Sequence, residues 1–177
     1  MFKIKPTFAL LLSLLCMQGM KAENTQWVNP KPTGQVMHDI VFFDANHGLM
    51  CGEQGTLLTS SDGGNMWLET QQGNRANYQQ IEAVANGIAW IRAGDHLLKT
   101  NDFGTTFSMT GQLPAGYSYK AISMFSPTEG YALRYNSALS QPNELGYTTK
   151  GGNTWTWISF PPEIKDVLDL RFSDALQ

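Results

Sequence analysis

Apolar positions along the chain alternate, or cluster over runs of four to six residues, and glycine-containing turns separate the runs. Side chains on a strand alternate faces, and tight turns need the conformations glycine supplies, so this spacing predicts short strands. The first set predicts strands near 38–43, 48–52, 55–60 and 66–70.

The pattern then recurs. Ile40, Ile81 and Ile122 stand 41 residues apart. Asp62 and Asp102 stand 40 apart, as do Trp67 and Phe107, whereas Phe107 to Trp155 is 48. The extra eight residues fall on Asn136-Ser-Ala-Leu-Ser-Gln-Pro-Asn143, a loop by composition. A fourth unit opens near the end, where Asp169-Leu-Arg-Phe-Ser-Asp-Ala175 overlays Asp39-Ile-Val-Phe-Phe-Asp-Ala45. Asn24-Thr-Gln-Trp27 resembles Asn153-Thr-Trp155 and reads as a fourth strand without a blade. A period near 40 with four strands per unit is the mark of a β-propeller blade. The expected fold is all-β, with Gly-closed four-stranded blades at about 36–70, 78–110 and 117–159 and the start of a fourth at 164–177. Propellers close with typically about 4–8 blades, so this is a partial ring, or one that copies of the chain complete.

The N-terminal segment has a different character. Lys3 and Lys5 precede the apolar run Phe8–Met17, and Ala22 stands before the polar Glu23-Asn24-Thr25-Gln26. A basic start, a short apolar core and a small residue at the cut form a secretory signal peptide, expected at 1–22, with the repeats in 23–177. The run is too short for a bilayer, which takes about 20 residues, and no other segment is apolar enough to span one. Lipidation at Cys16 would want a small residue before it, and Leu15 is not small. The expected place is the periplasm or the extracellular space. Without the leader, Cys51 is the only cysteine and no intramolecular disulfide forms. It reads as a small buried strand residue, with a reactive thiol as the alternative.

Charge narrows the function classes. The chain has 12 Lys+Arg against 15 Asp+Glu, and three of the cations (Lys3, Lys5, Lys21) lie in the leader. The remainder has 9 cations against 15 acids, a balance of −6, with none of the basic footprint a nucleic-acid binder shows.

The turn between the third and fourth strands carries the most specific signal. Ser60-Ser-Asp-Gly-Gly-Asn-Met-Trp67, Asn101-Asp-Phe-Gly-Thr-Thr-Phe107 and Thr149-Lys-Gly-Gly-Asn-Thr-Trp155 occupy the same place. Asp62 and Asp102 are expected to accept hydrogen bonds from N–H groups two or three residues on. Gly64 supplies the turn conformation and Trp67 buries a large surface between blades, with Gly104, Phe107, Gly152 and Trp155 at the matching structural positions. Lys150 stands where the acid belongs, so glycines alone are expected to hold the third turn. These residues resemble the Asp-box, or bacterial neuraminidase repeat. The wider pattern over residues 24–177 resembles the photosystem II stability and assembly factor family of propellers. That resemblance implies a structural box on the propeller rim, away from the central channel.

Sialidases share the box, and the resemblance to them would require an arginine trio, a Tyr–Glu pair and an acid/base Asp. Beyond the leader the chain has only Arg75, Arg92, Arg134 and Arg171, with Arg92 and Arg134 placed to face a channel. His38, His47 and His96 show no metal-ligand spacing. Trp90, Tyr131 and Tyr135 fall on second strands, where packing is the plainer reading and ligand contact the alternative. No catalytic residue, cofactor or metal site is assigned. The expected function is an exported, non-catalytic scaffold that binds a protein. The alternative is a sialidase-like glycoside hydrolase or carbohydrate-binding propeller.

Overall fold

A computed structural model describes residues 33–70, 75–85, 87–136, 143–161, 163–164 and 167–171. The expected leader, the Asn24–Trp27 strand, most of the 136–143 insertion and the end of the fourth unit lie outside the described residues. Apart from one 3-10 turn at Glu53–Gly55, the regular structure among the described residues is strand. The first sheet comprises β1 (Met37–Phe42), β2 (Gly48–Gly52), β3 (Leu57–Ser60) and β4 (Leu68–Glu69). The second comprises β5 (Gln80–Ala85), β6 (Ile88–Ala93), β7 (His96–Thr100) and β8 (Ser108–Thr110). The third comprises β9 (Tyr117–Met124), β10 (Gly130–Asn136), β11 (Glu144–Thr148) and β12 (Thr156–Ser159). Each is an antiparallel sheet with its strands in chain order, so the chain folds as three propeller blades.

Two strands of the first blade are shorter than the pattern predicts. β3 starts at Leu57 because Gln54 and Gly55 take left-handed backbone, φ 56° and 79°, to close the preceding turn. β4 is only Leu68–Glu69, because hydrogen bonds internal to the box turn hold the chain as far as Trp67.

The core lies between blades. Leu49, Cys51 and Leu57 of the first blade pack with Tyr78, Ile81, Ala89, Ile91, Ala93 and Leu98 of the second. A second cluster joins Trp90 and Leu97 to Tyr119, Ile122, Met124 and Ala132 of the third. β6 therefore serves two cores: Ala89, Ile91 and Ala93 face back to the first blade, and Trp90 faces forward to the third. A strand buried on both faces needs apolar residues at nearly every position, which is why Ile88-Ala-Trp-Ile91 is continuous rather than alternating.

The blades converge on their first strands, with β5 lying between β1 and β9. Side chains stitch these strands together. Ile81 N–H donates to Asp39 Oδ2 at 2.8 Å. Ile122 N–H donates to Gln80 Oε1 at 3.1 Å, and Gln80 Nε2 donates to the Ile122 carbonyl at 2.8 Å. Asp39 and Gln80 stand 41 residues apart, so one repeat position supplies both clasps. The fourth unit echoes it: Leu170 N–H donates to Asp169 Oδ1 just as Ile40 N–H donates to Asp39 Oδ1, each at 2.8 Å.

Candidate functional site

The convergence of the first strands leaves a polar cavity of about 340 Å³, lined by Asp39, Gln80, Ile81, Glu82, Ser123 and Arg171. β1, β5 and β9 each bring one face of an inner strand to it, and residues 167–171 bring the guanidinium. Gln80 Nε2 donates to Glu82 Oε1 at 3.0 Å, which fixes that carboxylate against the Asp39–Ile81 clasp. Burial pushes the Glu82 carboxyl above its ordinary range, opposed by the Gln80 hydrogen bond and by the charge of Arg171. Arg171 itself is highly exposed and donates to Asp169 Oδ2 at 3.2 Å. The lining thus offers carboxylates, an amide, a hydroxyl and one cation within one concave surface. Such a set holds polar ligands by hydrogen bonds and charge. Among the described residues, no group of three or more His, Cys, Asp or Glu side chains is placed to hold a metal ion.

The Asp-box residues lie elsewhere, in the turns before the outermost strands. Asp62 Oδ1 accepts from Met66 N–H at 2.9 Å, and Trp67 Nε1 donates to the Gly64 carbonyl at 3.0 Å. Asp102 Oδ1 accepts from Thr106 N–H at 2.9 Å. The bond reaches four residues on, further than the two or three expected. The Met66 amide holds the Asp62 carboxyl below its ordinary range. At Asp102 burial pushes upward, and the Thr106 hydroxyl and amide outweigh it. Both carboxylates are therefore ionised at neutral pH and occupied by their own turns, which disfavours them as proton donors.

Sequence reasoning missed one member of the box. Gly64 N–H donates to Ser60 Oγ at 2.9 Å, Gly104 N–H to Thr100 Oγ1 at 3.0 Å and Gly152 N–H to Thr148 Oγ1 at 3.2 Å. The third turn is thus not held by glycines alone, because Thr148 also accepts from Lys150 N–H at 3.1 Å. The signal was present as a hydroxyl residue two positions before each acid site. The aromatic residues differ in what they meet. Phe107 packs on the first interblade core and Trp155 on the second, whereas Trp67 packs edge-on against Phe42 of its own blade. The expectation that Trp67 lies between blades is corrected accordingly. Nothing among the described residues stands before the first blade to receive it.

The second box also carries Phe103 where the other two carry Gly63 and Gly151, and all three are left-handed, with φ 60°, 73° and 60°. A bulky residue seldom adopts this backbone. Phe103 meets Phe43 of the first blade edge-on and lies tilted over His47, with centroids at 5.4 and 4.4 Å. His47 is half-covered by that ring and bonded to Asp44.

The remaining candidates are packing residues. Arg92 Nη1 donates to Gln79 Oε1 and to the Tyr119 carbonyl, tying the second blade to the third. Arg134 lies between the Tyr117 and Trp157 rings, 4.3 and 4.2 Å away, and its Nε donates to Glu144 Oε2 at 2.6 Å. Neither guanidinium lines the polar cavity, contrary to the channel-facing expectation. Trp90 is fully buried and donates to the Gly151 carbonyl at 2.9 Å. Tyr131 stacks between Phe125 and Tyr147, and Tyr135 is exposed at the end of β10. Cys51 is fully buried, and that burial pushes its thiol up to about 12, far from a reactive thiolate.

With this geometry in place, similarity to known proteins is informative. The family model described as photosynthesis system II assembly factor YCF48 matches residues 20–114. No curated protein matches the sequence. Among solved structures, YCF48 bound to D1 peptide is 23% identical with a TM-score of 0.58, over 71% of this chain and 40% of that one. YCF48 from Cyanidioschyzon merolae is 21% identical with a TM-score of 0.58, over 72% of this chain and 41% of that one. An ancestral GH74 enzyme is 16% identical with a TM-score of 0.58, over 80% of this chain and 20% of that one. At these identities the likeness is one of fold, and the matched region spans about two fifths of each YCF48 chain.

Proposed function

Because the chain belongs to the family of the photosynthesis system II assembly factor YCF48, we propose that it is an exported, non-catalytic propeller protein that binds a partner polypeptide. The observation that carries this reading is the polar cavity where the first strands converge. Its carboxylates, amide and guanidinium match the donors and acceptors of a peptide main chain and its polar side chains. A YCF48 structure of similar fold holds a D1 peptide, which supports a polypeptide as the ligand class. Binding is favoured over glycoside hydrolysis because the Asp-box carboxylates are engaged by their own turns and two of the four arginines by packing. The basic and apolar character of residues 1–22 supports export. The N-terminal mass of the secreted protein reports cleavage after Ala22.

The test places a photo-reactive residue at position 171, beside the cavity, and as a control at position 159 on β12. Each chain is illuminated in periplasmic extract. The expected result is a partner peptide crosslinked from 171 and not from 159, with a lower yield when Glu82→Ala is added. Equal capture at both positions, or none, overturns the site. Turnover of chromogenic sialosides or other glycosides by the purified chain overturns the non-catalytic reading.

A further inference from the structure

Two positions of the repeat build the polar cavity. Ile40, Ile81, Ile122 and Leu170 share one repeat position. The residue before it is Asp39, Gln80, Ala121 and Asp169 in turn, and the residue after it Val41, Glu82, Ser123 and Arg171. These flanking positions lie on one face of each strand, because successive side chains point to opposite faces. Their polar members, Asp169 apart, line the cavity. The apolar position is nearly constant, whereas the flanking ones change from unit to unit. Interblade clasps account for Asp39 and Gln80, which bond across to Ile81 and Ile122. Glu82 accepts from the Gln80 amide of its own strand, and its charge is the feature that the clasps do not explain.

The charges in that lining do not balance. Arg171 is its one cation, and its Nε donates to Asp169 Oδ2 of its own unit at 3.2 Å. Asp39 and Glu82 are half-buried and form no ion pair among the described residues. Their hydrogen-bond partners are the neutral amides of Ile40, Ile81 and Gln80. With Asp169 counted, three carboxylates stand against one guanidinium. A half-buried carboxylate without a cation carries a desolvation cost that a cation on the ligand relieves. The raised Glu82 carboxyl is the response of such a charge to burial. The neutral part of the lining adds acceptors, the Gln80 amide oxygen and the hydroxyl of Ser123, which is 5% exposed. A lysine ammonium or an arginine guanidinium brings donors and no acceptor, which suits such a lining. Ile81 gives its methylene stem an apolar seat. We propose that the cavity selects a cationic side chain, a lysine or arginine of the partner polypeptide seated against Asp39 and Glu82. The proposal rests on the polypeptide-binding reading above and adds the charge of the residue that enters.

The experiment titrates pools of short peptides with the purified full chain and reads fluorescence anisotropy. Each pool carries an uncharged fluorophore on a blocked N-terminus and an amidated C-terminus, so its ends hold no charge. The pools are randomised over uncharged residues around a central Lys, norleucine or Glu. The Lys pool is expected to bind about tenfold tighter than the norleucine pool, the scale of one charge-assisted hydrogen bond, and the Glu pool weakest. Glu82→Gln keeps an oxygen for the Gln80 amide and removes the charge, and is expected to erase most of that preference. Glu82→Lys is expected to turn it toward the Glu pool. Glu69→Gln removes an exposed acid on β4, outside the cavity, and is expected to leave the preference unchanged. An unaltered strand signal in far-UV circular dichroism accompanies each variant. Equal binding of the three pools overturns the cationic preference and leaves the polypeptide reading standing. A preference that Glu82→Gln leaves intact overturns the seat at Glu82. Binding of no pool overturns the proposal, and if position 171 also captures no peptide the polypeptide reading falls with it.

Discussion

Thr148 keeps the hydroxyl half of the box where the acid half is missing. In the first two boxes the hydroxyl and the carboxylate share the work, with Ser60 and Thr100 also donating to Asp62 Oδ1 and Asp102 Oδ1 at 2.9 and 2.8 Å. In the third, Lys150 replaces the acid, and Thr148 accepts from the same two N–H positions as Ser60 and Thr100 with no carboxylate beside it. Thr148 and Gly152 are buried, so deleting the hydroxyl strands N–H groups away from water. A buried unsatisfied donor costs about 1–3 kcal/mol, and Thr148→Val is expected to lower the free energy of unfolding by about that amount. Ser60 is buried too, but the Gly64 N–H that it accepts from is only half-buried, where water can replace the bond, so Ser60→Ala is expected to cost less than about 1 kcal/mol. Urea titrations of the two variants make the comparison, and an equal loss in both would refute the division of roles.

At the scale of the element, the β1–β2 hairpin is closed by an acid and the β9–β10 hairpin by a hydroxyl. Asp44 Oδ1 accepts from Asn46 N–H and His47 N–H at 2.8 and 2.7 Å. Ser126 Oγ accepts from Thr128 N–H and Glu129 N–H at 3.2 and 2.8 Å. The His47 and Asn46 amides hold the Asp44 carboxyl down at about 2, below its ordinary 3.8. A folded-state value below the unfolded one stabilises the fold above the unfolded value, and that contribution is lost as pH falls through the folded value. The loss at this hairpin therefore runs from about pH 4 down to about pH 2. Asp44→Asn keeps an oxygen acceptor and removes the titration. Its melting temperature is expected to fall less steeply than the parent's between pH 5 and pH 2, and parallel curves would contradict the assignment.

For the whole molecule, stability resides in contacts between blades, as in other repeat arrays where each unit leans on its neighbours. Trp90 is the largest such contact, fully buried between the second and third blades and bonded to Gly151. Trp90→Ala is expected to cost about 3–5 kcal/mol, the usual range for a core tryptophan. The loss should also be uneven. Hydrogen exchange is expected to quicken across β9–β12 while β2 and β3 stay protected by the first interblade core. Uniform acceleration through all three sheets would mean that the blades unfold as one unit.

The repeat, the four strands per unit and the box were legible because they depend on local chemistry: alternation, turn glycines and a hydroxyl or acid within a few residues of its acceptor. What the sequence could not assign is which face of each blade meets a neighbour. Ile40, Ile81 and Ile122 are the same residue at the same repeat position, yet only the first is exposed. Trp67 and Trp155 each end a Gly-Gly-Asn-x-Trp turn, yet they pack differently. Arg92 and Arg134 were read toward the channel, because alternation defines two faces without saying which one a neighbouring blade will cover. The cavity needed Asp39, Glu82, Ser123 and Arg171 from four separate units, and only the curl of successive sheets about their first strands brings such distant residues together. Burial belongs to the assembled blades, and local pattern determined only the blades themselves.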